Sequence, residues 1–215
     1  MRNVIYPAIL AKSVEEFCKK IETAATFAEG VQVDVMDGKF VSSVTFQDVK
    51  RIKACKPGSL FFELHLMVEN PEMYIKKWEK VADSYILHIE TIADPRPIIK
   101  DIRAMKKEVG LAISPDTSID DIEVFVKDID MILIMTVIPG KDGQSYIEAM
   151  NEKIRALRTK FPNVPIEVDG GVNSVTIKAA KDAGANIFVI GSALWGKADD
   201  KEARDTFIEL QRAVG

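Results

Sequence analysis

The chain has 215 residues, of which 47% are hydrophobic and 29% are charged, and its formal net charge is -4. This length and balance predict one folded domain over residues 1–215, and the acidic charge argues against a nucleic-acid partner or an anionic membrane surface. No apolar run approaches the roughly 18 residues of a membrane span, and the start lacks an export-signal pattern, so we expect no membrane partner and a cytoplasmic location.

Short apolar runs alternate with longer segments of helical periodicity along the whole chain. The apolar runs predict strands at residues 4–6, 31–41, 61–67, 84–89, 110–114, 131–137, 165–169 and 187–190. The segments between them predict helices at residues 13–28, 47–54, 97–108, 118–126, 145–159, 174–183 and 199–214, and another that begins at residue 71. Ser13 with Glu16 three residues later forms a capping box, and Pro71 suits the first turn of a helix.

The order of these elements indicates the fold. Eight strand–helix units follow one another without a linker-like segment, which is typical of parallel strands joined by crossover helices. Eight regular repeats favour an α/β fold of the closed (β/α)8 TIM-barrel type over its competitor, the open doubly wound sheet. In such a barrel the chemistry takes place at the carboxyl ends of the strands.

Polar side chains collect at these strand ends. Side chains two residues apart share a face of a strand, which groups Gln32, Asp34 and Met36; Glu63, His65 and Met67; His88 and Glu90; and Glu167 and Asp169. A carboxylate in a buried strand is too costly to be packing filler, so Asp34 is the first functional candidate.

Asp34, His65 and Asp169 form a mixed oxygen and nitrogen set that could hold a divalent cation. Asp34 and Asp169 come from opposite sides of the predicted barrel mouth, where two carboxylates can act as base and acid on the two faces of a substrate. The alternative is that each is a hydrogen-bonded group at the barrel rim. For His88 and Glu90 this alternative, in which they only orient their neighbours, is equally good.

Glycine-containing loops follow several of the strands. Gly170-Gly171 and Gly191-Ser192 follow the seventh and eighth strands, where barrel loops and a short helix commonly form a phosphate site. Residues 140–143, which are Gly140, Lys141, Asp142 and Gly143, suit a mobile flap over the site, although a plain surface turn explains them equally well.

The sulfur-containing residues suggest packing roles. Cys18 and Cys55 are too few and too far apart in the sequence for a metal cluster or a disulfide framework. Because Cys18 lies in an amphipathic helix, we expect a small buried hydrophobe there. Met36, Met67 and Met135 fall at strand ends and could fill the barrel or form a water-excluding floor for a flat intermediate.

Several motifs in register resemble those of the ribulose-phosphate 3-epimerase family. They are Asp34–Gly38, His65–Pro71, Met135–Gly140, Val168–Gly171, and Gly184–Asn186 leading to Gly191-Ser192. The resemblance covers essentially the whole chain. It implies an isomerase of carbohydrate metabolism that acts on a phosphorylated sugar with one divalent metal ion. Because barrels of this kind often associate through their helices, we also expect a homo-oligomer.

The resemblance also implies roles for individual residues. Asp34 and Asp169 would remove and return the proton at C3 of a ketose phosphate, and His65 would be a metal ligand beside both carboxylates. The phosphate and the rest of the substrate would contact His65, the flap residues Gly140, Lys141, Asp142 and Gly143, and the loop residues Gly170, Gly171, Gly191 and Ser192. The metal could be zinc, iron, manganese, cobalt or magnesium.

The chain departs from the family pattern where substrate or metal would bind. Gln32 replaces a histidine that is the fourth metal ligand, and a neutral amide oxygen would favour oxygen-seeking ions or weaken metal binding. Other departures are Ala8, Ser42, Ser43, Ser114 and the flap. The reaction class is therefore better defined than the sugar.

Four functions follow from these observations. The leading one is interconversion of D-ribulose 5-phosphate and D-xylulose 5-phosphate, and the nearest alternative is 3-epimerisation of another ketose phosphate, such as allulose 6-phosphate. A decarboxylase or aldolase on a related barrel would carry an Asp-x-Lys-x-x-Asp signature, but Met36 stands in place of that lysine. A non-catalytic sugar-phosphate binder is the fourth possibility.

Overall fold

The structure, a computed structural model, describes residues 1–141 and 143–215. Its strands are β1 (Val4–Ile9), β2 (Gly30–Met36), β3 (Phe61–Met67), β4 (Ser84–His88), β5 (Glu108–Ile113), β6 (Met131–Met135), β7 (Ile166–Asp169) and β8 (Ile187–Ile190). All neighbours pair in parallel in chain order, and β8 pairs with β1 to close the barrel. The predicted (β/α)8 barrel is thereby confirmed, and the open sheet is excluded.

Helices surround this barrel. Within the described residues they are α1 (Val14–Ala24), α2 (Val49–Cys55), α3 (Pro71–Trp78), α4 (Arg96–Ala104), α5 (Asp120–Glu123), α6 (Met150–Lys160), α7 (Thr176–Ala183), α8 (Ser192–Trp195) and α9 (Asp200–Val214). The predicted start of α1 is confirmed, because the Ser13 hydroxyl accepts a hydrogen bond from the Glu16 amide at 3.2 Å. None of these helices is long and apolar enough to cross a membrane.

Several predicted helix boundaries are wrong for local reasons. The first helix ends at Ala24 because the Thr26 hydroxyl and amide both bond to the Thr23 carbonyl and tighten the last turn. The segment at 145–149 stays outside α6 because the Ile147 amide donates to the Thr136 carbonyl beyond β6. The fourth helix ends before residue 106, where Lys106 has a left-handed φ of 59°.

The barrel interior is divided into an apolar and a polar sector. Inward side chains of β4, β5, β6 and β8 form an apolar cluster that includes Ile86, Leu133 and Ile187. Deeper inward side chains of β2, β3 and β7 are instead polar, and Gln32, Glu63 and Glu167 among them are fully buried. Because an isolated buried polar group is costly, the polar sector marks where the barrel departs from simple packing.

The sequence-based expectation that Cys18 and Cys55 form no disulfide framework is wrong. Cys18 on α1 and Cys55 on α2 form a disulfide bond, with their Cα atoms 5.4 Å apart. Cys18 is half-buried and is not the fully buried hydrophobe expected from the helical pattern. Consecutive strand–helix units place their helices side by side around the barrel, and this proximity is hidden by a sequence separation of 37 residues.

Candidate active site

A cavity opens at the carboxyl ends of the strands. Its floor and walls include Asp34 and Asp169 together with Met36, Met67 and Met135. The loops after β6, β7 and β8 line one side of it through Gly140, Lys141, Gly143, Gly170, Gly171, Gly191 and Ser192. The structure thus brings together most of the residues that the sequence suggested. Asp142 lies outside the described residues.

Two carboxylates meet at the base of this cavity. Asp34 is 8% exposed and lies opposite His65 in the register of β2 with β3, while Asp169 ends β7. The Gln32 amide nitrogen Nε2 lies between them and donates to Asp34 Oδ1 and to Asp169 Oδ2, at 2.9 Å in each case. His65 Nδ1 lies 3.4 Å from Asp34 Oδ1 and 3.2 Å from Asp169 Oδ2. Gln32 and His65 therefore hold both carboxylates from below.

A chain of hydrogen bonds fixes the orientation of the His65 ring. His65 Nε2 lies 2.9 Å from His88 Nε2, and His88 Nδ1 lies 3.0 Å from Glu90 Oε2. Since a carboxylate only accepts, His88 carries its proton on Nδ1, and its Nε2 accepts from His65. Glu90 is itself held by the Ser114 amide at 2.7 Å and the Thr117 hydroxyl at 2.5 Å. The relay directs His65 Nδ1 at the carboxylates.

The buried site shifts several pKa values. Burial raises the pKa of Asp34; a hydrogen bond with His65 opposes this rise, and the charge of Asp169 adds to it. Burial lowers the pKa of His65, but hydrogen bonds with Asp169 and Asp34 outweigh burial and raise this pKa to about 9. Burial also lowers the pKa of His88. These shifts favour the protonated form of His65 and the neutral form of His88.

Two further acids lie one layer deeper in the barrel. Glu63 and Glu167 precede His65 and Asp169 by two residues, point to the same interior, and are fully buried. Burial raises the pKa of Glu63 to about 7, and burial together with repulsion from Glu63 raises the pKa of Glu167 well above its usual range. The pair therefore holds at least one proton near neutral pH.

Three of the four proposed metal ligands fit a divalent cation. One ligand atom from each of Asp34, His65 and Asp169 lies within 4.8 Å of the other two. Two carboxylate oxygens and an imidazole nitrogen suit manganese, iron, cobalt or zinc. Gln32 does not join this set as it stands, because it directs Nε2 at the carboxylates. Its buried Oε1 has no hydrogen-bond partner within the described residues.

The loops beside the carboxylates could hold a phosphate. Gly171 has a φ of 66°, and a side chain there would collide with the backbone of Tyr146, so this turn requires glycine. The Ser43 hydroxyl donates to the Gly140 carbonyl at 2.5 Å, which ties the loop after β2 to the flap. Backbone N–H groups in such tight turns are suitable donors to phosphate oxygens.

Some residues of the sequence hypothesis do not reach the cavity, and others were missed. His65 and Gln32 lie below it and are fully buried, so His65 does not line the phosphate loops. Lys20 and Trp195 line the cavity but stand out in no sequence motif. Lys20 lies on a helix outside the barrel, where sequence periodicity gives only a polar face.

The chain is similar to known proteins over most of its length. The model of the ribulose-phosphate 3 epimerase family matches residues 4–195. Ribulose-phosphate 3-epimerase from Eremothecium gossypii is 36% identical over 217 residues, which cover 94% of this chain and 90% of that protein. The cytoplasmic isoform of ribulose-phosphate 3-epimerase from Oryza sativa subsp. japonica is 36% identical over 180 residues, covering 81% of this chain and 79% of that protein.

The solved structure of 3-hexulose-6-phosphate synthase from Salmonella typhimurium superimposes with a TM-score of 0.74 over 98% of both chains. At 15% identity this similarity shows the barrel fold alone. The family match and the identities to whole relatives are much more specific. The chain is therefore an isomerase-class enzyme, and it belongs to the ribulose-phosphate 3-epimerase family.

Proposed function

We propose that the protein interconverts D-ribulose 5-phosphate and D-xylulose 5-phosphate by moving the proton at C3. The observation that carries this proposal is the pair of carboxylates, Asp34 and Asp169, which come from β2 and β7 and meet at one cavity. The family membership supports the same reaction.

In the proposed reaction the two carboxylates exchange roles with the direction of turnover. One of them removes the C3 proton from one face of the sugar, and the other returns a proton to the opposite face, which inverts the centre. The raised pKa of Asp34 suits it to hold the proton that is delivered. Met36, Met67 and Met135 line the cavity and would exclude water from the planar intermediate.

Asp34, His65 and Asp169 are the residues that would hold a divalent cation. Such an ion supplies Lewis-acid stabilisation of the negative charge that develops on the sugar oxygens. The chain from Glu90 through His88 would orient His65 for that ligation. Gln32 would keep both carboxylates in position through its two hydrogen bonds.

A second ketose phosphate is the main alternative substrate. Ala8 lines the cavity where the family pattern has a serine, so this wall lacks a hydroxyl that would bond the sugar. We therefore propose comparing kcat/KM for D-ribulose 5-phosphate with that for D-allulose 6-phosphate. Preference for the hexulose phosphate would reassign the substrate while leaving the two-carboxylate chemistry in place.

The decisive experiment follows solvent deuterium into C3. Turnover in deuterated water should label C3 of the product epimer. Asp34→Asn or Asp169→Asn should each abolish the formation of labelled product epimer, because the remaining carboxylate serves only one face of C3. Asp205→Asn is the matched control, because Asp205 is an exposed carboxylate on α9. Labelled product epimer that still forms in either variant would remove the substituted carboxylate from proton transfer. A wild-type protein that binds ketose phosphates but never exchanges C3 would support the non-catalytic binder.

We also propose a cytoplasmic location, supported by the name of the rice relative. Association into a homo-oligomer remains a prediction, and sedimentation equilibrium of the purified protein tests it.

A further inference from the structure

The phosphate loops provide donors without charge. Gly170, Gly171 and Gly191 offer backbone N–H groups, and Ser192 adds a hydroxyl. The same cavity carries the anionic side chains of Asp34 and Asp169. His65 and the proposed metal ion would balance the charge of these carboxylates, but no charged group among the loop donors balances the phosphate dianion itself.

Two lysines supply positive charge to this cavity within the described residues. They are Lys141 of the flap and Lys20 of α1. Lys141 is exposed. The Lys20 side chain is only 18% exposed, because it lies against the end of β1 and the residues after β8. A cation that is ordered before the ligand arrives binds it with a smaller entropic cost.

Three neighbours hold the Lys20 ammonium in place. Its Nζ donates to the Leu10 carbonyl at 2.6 Å and to Glu16 Oε1 at 2.8 Å. It also lies 5.8 Å from the centre of the Trp195 ring. An ammonium has three N–H donors, and these two hydrogen bonds leave one donor for a ligand oxygen within the described part of the chain.

Trp195 connects this ammonium to the phosphate loop. The indole Nε1 donates to the Ala8 carbonyl at 2.5 Å, which fixes the ring over the end of β1. Trp195 belongs to the same short segment as Ser192, directly after Gly191. Lys20, Trp195, Gly191 and Ser192 therefore line one side of the same cavity.

We propose that Lys20 is the charged phosphate ligand of this protein, and that it binds the sugar-phosphate dianion together with the uncharged donors of the glycine loops. The proposal rests on the proposed function, because it takes the ligand to be a ketose phosphate. A purely structural role is the competing explanation, since Lys20 pairs with Glu16 one turn away on α1 and bonds the Leu10 carbonyl.

Lys20→Met separates these explanations through kinetics and phosphate binding. We expect the KM for D-ribulose 5-phosphate and the inhibition constant of inorganic phosphate both to rise at least about tenfold, as for loss of a hydrogen bond to a charged group. We expect kcat to change by less than about threefold, because Lys20 binds the phosphate and not the reacting carbon. Lys20→Arg should recover most of the affinity.

Two further variants make the result specific. Lys19→Met removes the adjacent exposed lysine of the same helix, which does not line this cavity, and should change neither constant. Glu16→Gln removes the anion that competes for Lys20 but keeps a side chain that can accept from the Lys12 amide, so phosphate should inhibit more strongly.

Failure of this proposal is distinguishable from failure of the proposed function. If the wild type epimerises the sugar and the Lys20→Met variant keeps its KM and its phosphate inhibition constant within twofold of the wild type, only the role of Lys20 is overturned. A lower melting temperature with unchanged constants would likewise reduce Lys20 to a structural residue. If the wild type is inactive on ketose phosphates but the Lys20→Met variant binds inorganic phosphate more weakly than the wild type, the proposed function is overturned and the role of Lys20 in phosphate binding is supported.

Discussion

Replacing Gln32 with leucine removes the two N–H donors that join the carboxylates of the site. In the wild type, Gln32 Nε2 bonds Asp34 Oδ1 and Asp169 Oδ2 at 2.9 Å each, and the Gln32 side chain is fully buried. Leucine has a similar volume, so the change leaves little cavity and chiefly tests the hydrogen bonds. The protein is kept in chelator, so that these contacts and not a metal ion are measured.

The size of the effect follows from the charge of the acceptors. A hydrogen bond to a charged group contributes about 1.5–3 kcal/mol, so two of them place the loss of unfolding free energy at about 3–6 kcal/mol. Protonation limits this loss, because a carboxylate that has lost its donor can take up a proton instead of remaining charged. That protonation costs about 1.4 kcal/mol for each unit by which the pKa of the carboxyl group lies below the pH. We therefore expect a loss of about 3 kcal/mol at pH 7.

The sign of the pH dependence follows from the same contacts. The Gln32 donors favour the ionised carboxylates, so their removal raises the pKa of Asp34 further in the folded state. The difference between wild type and variant is greatest where Asp34 is ionised in the wild type, and it shrinks as the pH falls and Asp34 takes up a proton.

Urea unfolding at pH 7 and pH 4.5, followed by circular dichroism, measures this difference. Gln47→Leu is the matched control, because the Gln47 amide bonds the neutral Met36 carbonyl at 2.6 Å. The control should cost about 1 kcal/mol at both pH values. A Gln32→Leu loss below that of the control, or one equal at both pH values, would refute the reasoning.

Three other predictions follow from single contacts. Gln32→His should raise zinc affinity at least about tenfold in a metal titration, because imidazole is a better zinc ligand than an amide. Cys55→Ser should lower the unfolding free energy by about 4 kcal/mol for a loop of 37 residues, and reductant should lower that of the wild type equally. Glu90→Gln should lower the unfolding free energy by about 3 kcal/mol at neutral pH. Burial alone would raise the pKa of Glu90, but its bonds to His88 and Thr117 lower this pKa from 4.5 to about 2. In urea unfolding, that advantage of the wild type should be complete above pH 4.5 and disappear as the pH falls to about 2.

The barrel and the inward faces of its strands were predictable from the sequence because their rules are local. Side chains alternate along a strand, so the faces that carry Asp34, His65 and Asp169 follow from counting by twos. The register then places Asp34 beside His65, and Asp169 opposite Met135 on the neighbouring strand. A barrel directs the ends of all its strands to one mouth, so these strand-end candidates had to lie close together.

The remaining features depend on contacts between distant segments. The sequence shows that Gln32 faces inward, but not that its Nε2 lies between two carboxylates that come from β2 and β7. Likewise, the helical pattern gives no sign that Cys18 meets Cys55, or that Lys20 reaches past the end of β1 to the cavity. Each of these contacts is set by the packing of helices and loops around the closed barrel.

The position of Met36 links the fold to the choice among reactions. Related phosphate barrels that decarboxylate or join carbon units would need a lysine at this position of the strand. Met36 is 2% exposed and lines the same cavity as Asp34 and Asp169. A thioether can neither protonate a carbanion nor pair with a carboxylate, so Met36 cannot take the role of that lysine, which agrees with the proposed proton transfer by Asp34 and Asp169. That restriction supports removal and return of one proton over cleavage of a carbon–carbon bond.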